Sequence, residues 1–502
     1  MNKLILTFTG AGLLAILLGA STFPGQAKRP YTYHYENVLG TSLELKVLAG
    51  SEAIADRAEV AVLAEIDRET KILSAWDSAS EFSQWSRTVG RATPVSPELM
   101  EVLGLFDQWR ERSGGALDAS AETVTRLWKK AADQGELPRA EEIAAAVRLV
   151  KARHWTLDAA HGTATHLDQT PLALNSFAKS YIVGRAAEAA LATAGVSAAV
   201  VNIGGDLVVR GNWTEPVRIA NPRSDEENAQ PIARLQIRNA AVATSGSYRR
   251  GVQIAGQHYS HIVDPRTGFP VDHVISATVV APNAAEAGAL ATTMCVLQPE
   301  QSQRLAAGRP GVDYLLISSD GKRTESPGWK RLQSAGMAMA PTPAPAAGAW
   351  DSAYELTINL EIARISDMRA RRPYVAVWIE DADKFPVRTV ALWFQKVRWL
   401  PELKAWNHDD RLRSMAEGSD ITGSVSSATR SPGKYKLKWD GKDNKGNFVK
   451  AGTYTVCIEA AREHGSYQII RHPMDFNGAP KDVQLPGDVE LSSLSLEYHK
   501  TM

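Results

Sequence analysis

Between Tyr259 and Gly268 the chain concentrates an imidazole (His261), a carboxylate (Asp264), a guanidinium (Arg266) and the hydroxyls of Ser260 and Thr267. A titratable ring beside a carboxylate and a cation suits the holding of a polar ligand and the movement of a proton at it. Asp264-Pro265 followed by Thr267-Gly268 is turn punctuation, with Pro265 fixing φ and Gly268 free to take positive φ. The strand-like run from Gln257 to Val263 carries His261 up to that reversal, so regular structure positions the ring. A turn of this composition also serves as a plain chain reversal, with Asp264 capping local amides and His261 packing. The segment alone leaves both readings open.

Two further segments point toward a ligand with phosphates. Thr244-Ser245-Gly246-Ser247-Tyr248 follows the apolar run Ala240 to Ala243, so a strand is expected to end in a small-residue turn whose amides and hydroxyls suit an anion. Asn202-Ile203-Gly204-Gly205-Asp206 lies between Ala198–Val201 and Leu207–Val209 and reads as a second tight turn between strands.

Taken with blocks elsewhere, these segments resemble the ApbE-type FAD:protein FMN transferases over roughly Glu36 to Gln298. Leu39-Gly40-Thr41 is similar to that family's Met-Gly-Thr, and Trp76-Asp77-Ser-Ala-Ser80-Glu81-Phe-Ser83 to its Tyr-Asp-x-x-Ser-Glu-x-Ser. Leu117-Asp118-Ala-Ser120 with Leu127-Trp128, Phe177-Ala178-Lys179-Ser180-Tyr181 and Ala289-Leu-Ala-Thr292 follow in the family's order, interleaved with the three turns. The resemblance implies cleavage of FAD at its pyrophosphate, attachment of FMN through a phosphoester to a Thr or Ser of an acceptor flavoprotein, and release of AMP. Phosphoryl transfer of this kind rests on positioning and charge neutralisation. Carried over block by block, Gly40, Thr41, Lys179, Gly204, Gly205, Asp206, Ser245, Gly246 and Tyr248 would hold the dinucleotide, with Trp76 and Asp118 on the flavin side. His261 would be the base for the incoming hydroxyl, oriented by Asp264, and Arg249 and Arg266 are candidates to neutralise the pyrophosphate.

The resemblance also implies Mg²⁺, held by the backbone carbonyl of Ser176 and by an Asp and a Thr four residues apart on one helix. Such spacing puts both side chains on one helical face, where a carboxylate and a hydroxyl can share a hard cation. Here the pair reads Gly288 and Thr292, and Ala173 and Gly184 occupy two further positions where the family carries Asp. Glu286 would project away from the Gly288 face. Either another carboxylate such as Asp206 moves in, or catalysis is reduced. The expectation is an exported flavin transferase, with a non-catalytic FAD-binding protein that docks a redox partner as the alternative.

With 56 Lys plus Arg against 56 Asp plus Glu, the chain has no bulk charge to suggest nucleic acid. Met1-Asn-Lys3 before the apolar Leu4 to Gly19, with small residues at Leu18-Gly19-Ala20 and Gly25-Gln26-Ala27, has the pattern of a secretory signal peptide over residues 1–27. That pattern gives a periplasmic location, with an uncleaved membrane anchor as the alternative and a membrane-associated redox protein as a candidate acceptor. Cys295 and Cys457 sit in apolar runs and read as core thiols, not a disulfide framework. His154, His161 and His166 read as surface positions of a strand pair.

The elements that must position these groups have an α+β pattern over residues 30–335. Helical periodicity is expected over Ala53–Ser74, Pro97–Ser113, Thr123–Gln134, Arg139–Val150, Ser176–Ala194 with Gly195 as its C-cap, and Ala284–Leu297. Residues 336–349 have a Met/Ala/Pro/Gly linker composition. Beyond them, alternating runs at Tyr354–Ile362, Tyr374–Glu380, Thr389–Phe394, Gly433–Trp439, Gly452–Ala460 and Gln468–His472 predict an all-β Ig-like sandwich over residues 350–502, a binding or docking module with Trp378, Trp393, Trp399 and Trp406 as core or edge packing. Asp440, Asp443 and Asn444 are expected to form a solvated turn, since the full Ca²⁺ loop spacing is absent.

Overall fold

The computed structural model of the chain describes residues 28–501 apart from 225, 248–249, 334–347, 349, 366–371 and 463–464. The proposed signal peptide, Tyr248, Arg249 and nearly all of the linker therefore lie outside the described residues.

Eight strands form one antiparallel sheet whose spatial order follows the chain: β1 (Arg29–Val38), β2 (Thr41–Ala49), β3 (Val196–Ile203), β4 (Asp206–Gly211), β5 (Ala241–Gly246), β6 (Val274–Ala281), β7 (Asp313–Ser318) and β8 (Arg323–Glu325). The inner strand β3 carries the unbroken apolar run Ala198–Val201, buried throughout because both faces of the sheet are covered. Ala199, Val201 and Ile203 face a core shared with the helices α1 (Glu52–Leu73), α2 (Pro97–Arg112), α5 (Ala178–Ala192) and α6 (Ala284–Val296). Val200, Val209, Val242 and Leu315 face a smaller core under the hairpin Glu215–Ile219/Ala233–Ile237 and Trp329. A helical layer between β2 and β3 includes α3 (Glu122–Gln134) and α4 (Ala140–Val150).

The expected helices form within two residues of their sequence bounds, started by side-chain caps such as Ser51 on Ile54 and Ser96 on Leu99. Gly195 is not the cap of α5: the helix closes at Thr193, and Gly195 instead turns the chain into β3 at φ 93°. The histidines of the Trp155–Asp158/Thr163–His166 hairpin correct the surface reading in part. A third strand, Ala92–Pro94, and the Trp85 ring, 5.2 Å from His166, cover the hairpin. His154 and His166 are buried, bonded to Asp168 and to the Ser86 carbonyl, while His161 is exposed.

The C-terminal region is a β-sandwich. One sheet has the order Gly433–Trp439, Tyr354–Ile362, Leu491–Lys500, Lys481–Leu485; the other has Ser426–Ser427, Pro386–Trp393, Tyr374–Glu380, Gly452–Ala461, Tyr467–Phe476. Trp350, Trp439, Phe476 and Tyr498 pack ring against ring between them. The sequence reading missed a helix at Lys404–Glu417, which covers the outer face of the second sheet around Trp378 and Trp406. Asp443 caps the amides of Lys445 and Asn447, which makes the acidic segment a turn. Both cysteines are free and buried.

The sandwich is packed directly on the first domain. The outer strand β1 offers an unpaired edge, and the sandwich covers it: the His34 amide donates to the Gln395 carbonyl at 2.7 Å. Lys396 reaches the buried Glu59 carboxylate at 2.6 Å, passing over the rings of Tyr33 and Tyr35. Glu36 bonds Thr429 and pairs with Arg372, and Glu226 and Glu227 take Lys438 and Arg430. His34 lies at the centre, its ring edge-on to Phe394 and its Nε2 3.3 Å from the Ser426 hydroxyl.

Burial holds His34 far down, at about 3, with Lys46 and Arg430 adding to the effect. Glu44, 3.8 Å away, does not reverse this because it is itself held by Lys46 at 3.1 Å. A folded-state value below the unfolded one means that the unfolded chain binds the extra proton as pH falls below about 6.5, so stability drops there. The urea midpoint of the full chain should therefore fall more steeply between about pH 6.5 and pH 4 than that of His34→Gln. Equal slopes would contradict a buried neutral imidazole in the interface.

Candidate active site

The turn between β3 and β4 is built on two glycines in the left-handed region, Gly204 at φ 55° and Gly205 at φ 91°. Only glycine fits the first, because a Cβ there would lie 2.5 Å from Cγ2 of Thr41. This contact draws the Gly40-Thr41 loop onto the Gly-Gly turn. The Asn202 side chain, which opens the motif but was given no role from sequence, accepts the Gly205 amide at 3.1 Å and sets the turn's shape.

Helix α5 begins beside this turn. Its Lys179 ammonium donates to the Gly204 carbonyl at 3.3 Å and lies 3.4 Å from Asp206. Ser180 donates to the other Asp206 oxygen at 2.6 Å. Burial pushes the Asp206 carboxyl above its usual range, and Lys179 and the Ser180 bond work against that shift. Asp206 is thus held in place by two neighbours on one helix.

Helices α5 and α6 meet along a line of small groups that steps by four on each helix. Gly184 faces Ala284, Ser180 faces Gly288, and the Ser176 carbonyl accepts from the Thr292 hydroxyl at 2.9 Å. Ser245, on β5, closes the row with its hydroxyl 3.1 Å from that of Thr292. Gly246 ends the same strand. Lys179, Gly204, Gly205, Asp206, Thr41, Ser176, Thr292 and Ser245 therefore form one polar neighbourhood at the sheet end.

The His261 turn forms a second group, held by the helical layer. Trp128 of α3 donates its indole proton to the Gly268 carbonyl at 2.9 Å, and a Cβ at Gly268 would meet Ile143 of α4 at 2.7 Å. The expected Asp264–His261 contact does not form. Asp264 is gripped by Arg266, through Nε at 2.9 Å and Nη2 at 2.8 Å, because a residue two places on in the tight turn presents its guanidinium fork to the carboxylate. Arg266 is correspondingly committed to Asp264. His261 lies with Nδ1 3.1 Å from the Arg250 carbonyl. A carbonyl only accepts, so Nδ1 carries the proton and Nε2 presents its lone pair. Desolvation, above all, lowers the His261 pKa and favours that neutral form.

Trp76 stands 76% exposed, with the Lys129 ammonium 5.5 Å from its ring centroid. Asp118 does not present a free carboxylate. It caps the following turn, accepting from the Ser120 amide and hydroxyl, and pairs with Arg110 at 2.9 Å.

The donor set does not fit magnesium in the way the resemblance implies. A Cβ at Gly288 would lie 2.2 Å from the Ser180 hydroxyl, so the position is bare and already filled from the facing helix. Asp206 has not moved in, because Ser180 and Lys179 hold it, and Glu286 pairs with Arg309 at 3.0 Å. Only neutral oxygens remain at Ser176 and Thr292, and among the described residues no three His, Cys, Asp or Glu side chains gather as a metal site.

The profile of the ApbE family matches residues 39–316, more than half of the chain. The chain belongs to the ApbE family. A second profile, of a family described as predicted periplasmic proteins (DUF2271), matches residues 355–493. Among curated relatives, the FAD:protein FMN transferase of Klebsiella pneumoniae is 29% identical over 327 residues, covering 62% of this chain and 93% of its own. That of Treponema pallidum is 29% identical over 339 residues, covering 63% and 92%. The crystal structure of the ApbE protein of Thermotoga maritima superposes with a TM-score of 0.54 at 25% identity, covering 61% of this chain and 100% of that one. The apo flavinyl transferase ApbE of Pseudomonas stutzeri shares the fold, with a TM-score of 0.52 at 24% identity.

The Gly-Gly turn of this ApbE domain gives a direct test of its construction. Gly204→Ala combines a left-handed backbone with a clash on Thr41 and should cost about 2 kcal/mol or more in urea unfolding. Gly205→Ala, where nothing lies within 4 Å of the new Cβ, should cost about 1 kcal/mol. The reverse ranking would contradict the Thr41 contact.

Proposed function

We propose that this chain is an FAD:protein FMN transferase, which attaches FMN by a phosphoester to a Thr or Ser of an acceptor flavoprotein and releases AMP. The observation that carries the reading is the polar neighbourhood of Lys179, the Gly204-Gly205 turn and Asp206 on an ApbE fold, with a neutral histidine on the neighbouring turn. Lys179 supplies the fixed positive charge for the FAD pyrophosphate, and the hydroxyls of Thr41 and Ser245 and the close backbone approach at Gly205 and Gly246 orient it. Trp76 offers an exposed aromatic face to the isoalloxazine. His261 Nε2 takes the proton of the acceptor hydroxyl as its oxygen bonds to the phosphorus of the FMN half. The P–O bond to the AMP half breaks, and AMP leaves with the bridging oxygen. Asp264 acts on this step only by holding Arg266 and the turn.

The division into a signal peptide at residues 1–27, a transferase domain at 30–335, a linker at 336–349 and a sandwich at 350–502 belongs to the same proposal. So does export to the periplasm, which the match to a family described as periplasmic supports. The acceptor would then be an exported or membrane-associated flavoprotein.

The test is to incubate the full chain with FAD and a peptide bearing an acceptor Thr, following AMP and peptide mass. Stoichiometric AMP and a gain of the FMN mass are expected, with His261→Ala slowed by about 10²–10⁴-fold. Because His261 acts as a base with a lowered pKa, the rate should rise with pH with its midpoint below the ordinary imidazole value of about 6.5. FAD binding without AMP over hours would sink the transferase reading and leave a non-catalytic FAD-binding protein.

A further inference from the structure

Resting on the proposed reading of this site, we infer that Ser180 and Gly288 are a matched pair that replaces a cation subsite with a protein-only network. Facing positions on α5 and α6 have room for one side chain, and Ser180 occupies it: a Cβ on Gly288 would meet its hydroxyl at 2.2 Å, its own Cβ at 2.8 Å and the Phe177 Cβ at 3.3 Å. The last two atoms belong to residues anchored at the start of α5, so relaxation at this point means moving a helix. The Ser180 hydroxyl occupies the space beside Gly288 and from there donates to Asp206 at 2.6 Å. Asp206 also faces the Lys179 ammonium at 3.4 Å. One side chain thereby fills the gap and ties the β4 carboxylate to the helix that carries Lys179. On the far side of the same row, the Thr292 hydroxyl is spent on the Ser176 carbonyl and the Ser245 hydroxyl. The row presents the neutral oxygens of Ser176, Thr292 and Ser245, and its one carboxylate, Asp206, is already engaged by Ser180 and Lys179.

A carboxylate at position 288 is therefore incompatible with Ser180 and compatible with glycine there. The test compares the full-length wild type, Ser180→Gly, Gly288→Asp and the double variant by thermal melting and by Mn²⁺ binding followed by electron paramagnetic resonance, all without FAD. Wild type should leave Mn²⁺ free at about millimolar concentration, and Gly288→Asp alone should lower Tm by roughly 5 °C. The double variant should recover most of that loss and bind Mn²⁺ at least about tenfold more tightly than wild type. Sub-millimolar Mn²⁺ binding by the wild type overturns the inference. So does a double variant no more stable than Gly288→Asp, or one that is stable and still leaves Mn²⁺ free. None of these readouts depends on turnover, so they stand apart from the failure of the transferase assay.

Discussion

The close approach of α5 to α6 is the constraint on which the site depends. Alanines, glycines and a serine along the crossing let the two helices nearly touch, and both lie against the same face of the sheet. That proximity fixes where α5 begins, and so where Lys179 and Ser180 meet the turn between β3 and β4. It also sets Thr292 against Ser176 and Ser245. A larger side chain anywhere in the row would separate the helices and pull the polar groups apart.

A second constraint acts from the opposite edge. The sandwich closes the open side of β1 with one backbone hydrogen bond, the Lys396–Glu59 pair and the contacts around His34. Glu36 takes Thr429 and Arg372 only a few residues before the Leu39-Gly40-Thr41 loop, which carries two left-handed residues in succession and packs on Gly204. The second domain thus braces the strand that delivers one wall of the site. An unpaired β1 would leave both that loop and a sheet edge exposed.

Much of this was legible in the sequence, for physical reasons that differ by residue. The Gly204-Gly205 turn and the strand pair around it follow from local backbone freedom, and the long helices from their apolar spacing. Of the four tryptophans readable as core or edge packing from size and setting, Trp378, Trp393 and Trp406 are buried and Trp399 is partly so. What failed was pairing across distance. Ser180 looks like a minor change until the facing residue proves to be Gly288, and no local pattern connects them. Asp264 looked like a partner for His261 because they are close in sequence, yet the turn hands it to Arg266. Asp118 and the buried His154 and His166 became structural through neighbours from other elements: Arg110, Asp168 and Trp85. The Lys404–Glu417 helix was missed because a run of strands before and after it made a sandwich the simplest reading.

The most direct test of a pyrophosphate site that works through Lys179 and hydroxyl and amide donors, without a carboxylate-bound cation, is the affinity of the full chain for FAD. It would be measured by flavin fluorescence in EDTA and across a magnesium titration to about 5 mM, within the range where weakly held Mg²⁺ would register. The dissociation constant is expected to change by less than about twofold. A tightening of about tenfold or more with magnesium would contradict such a site.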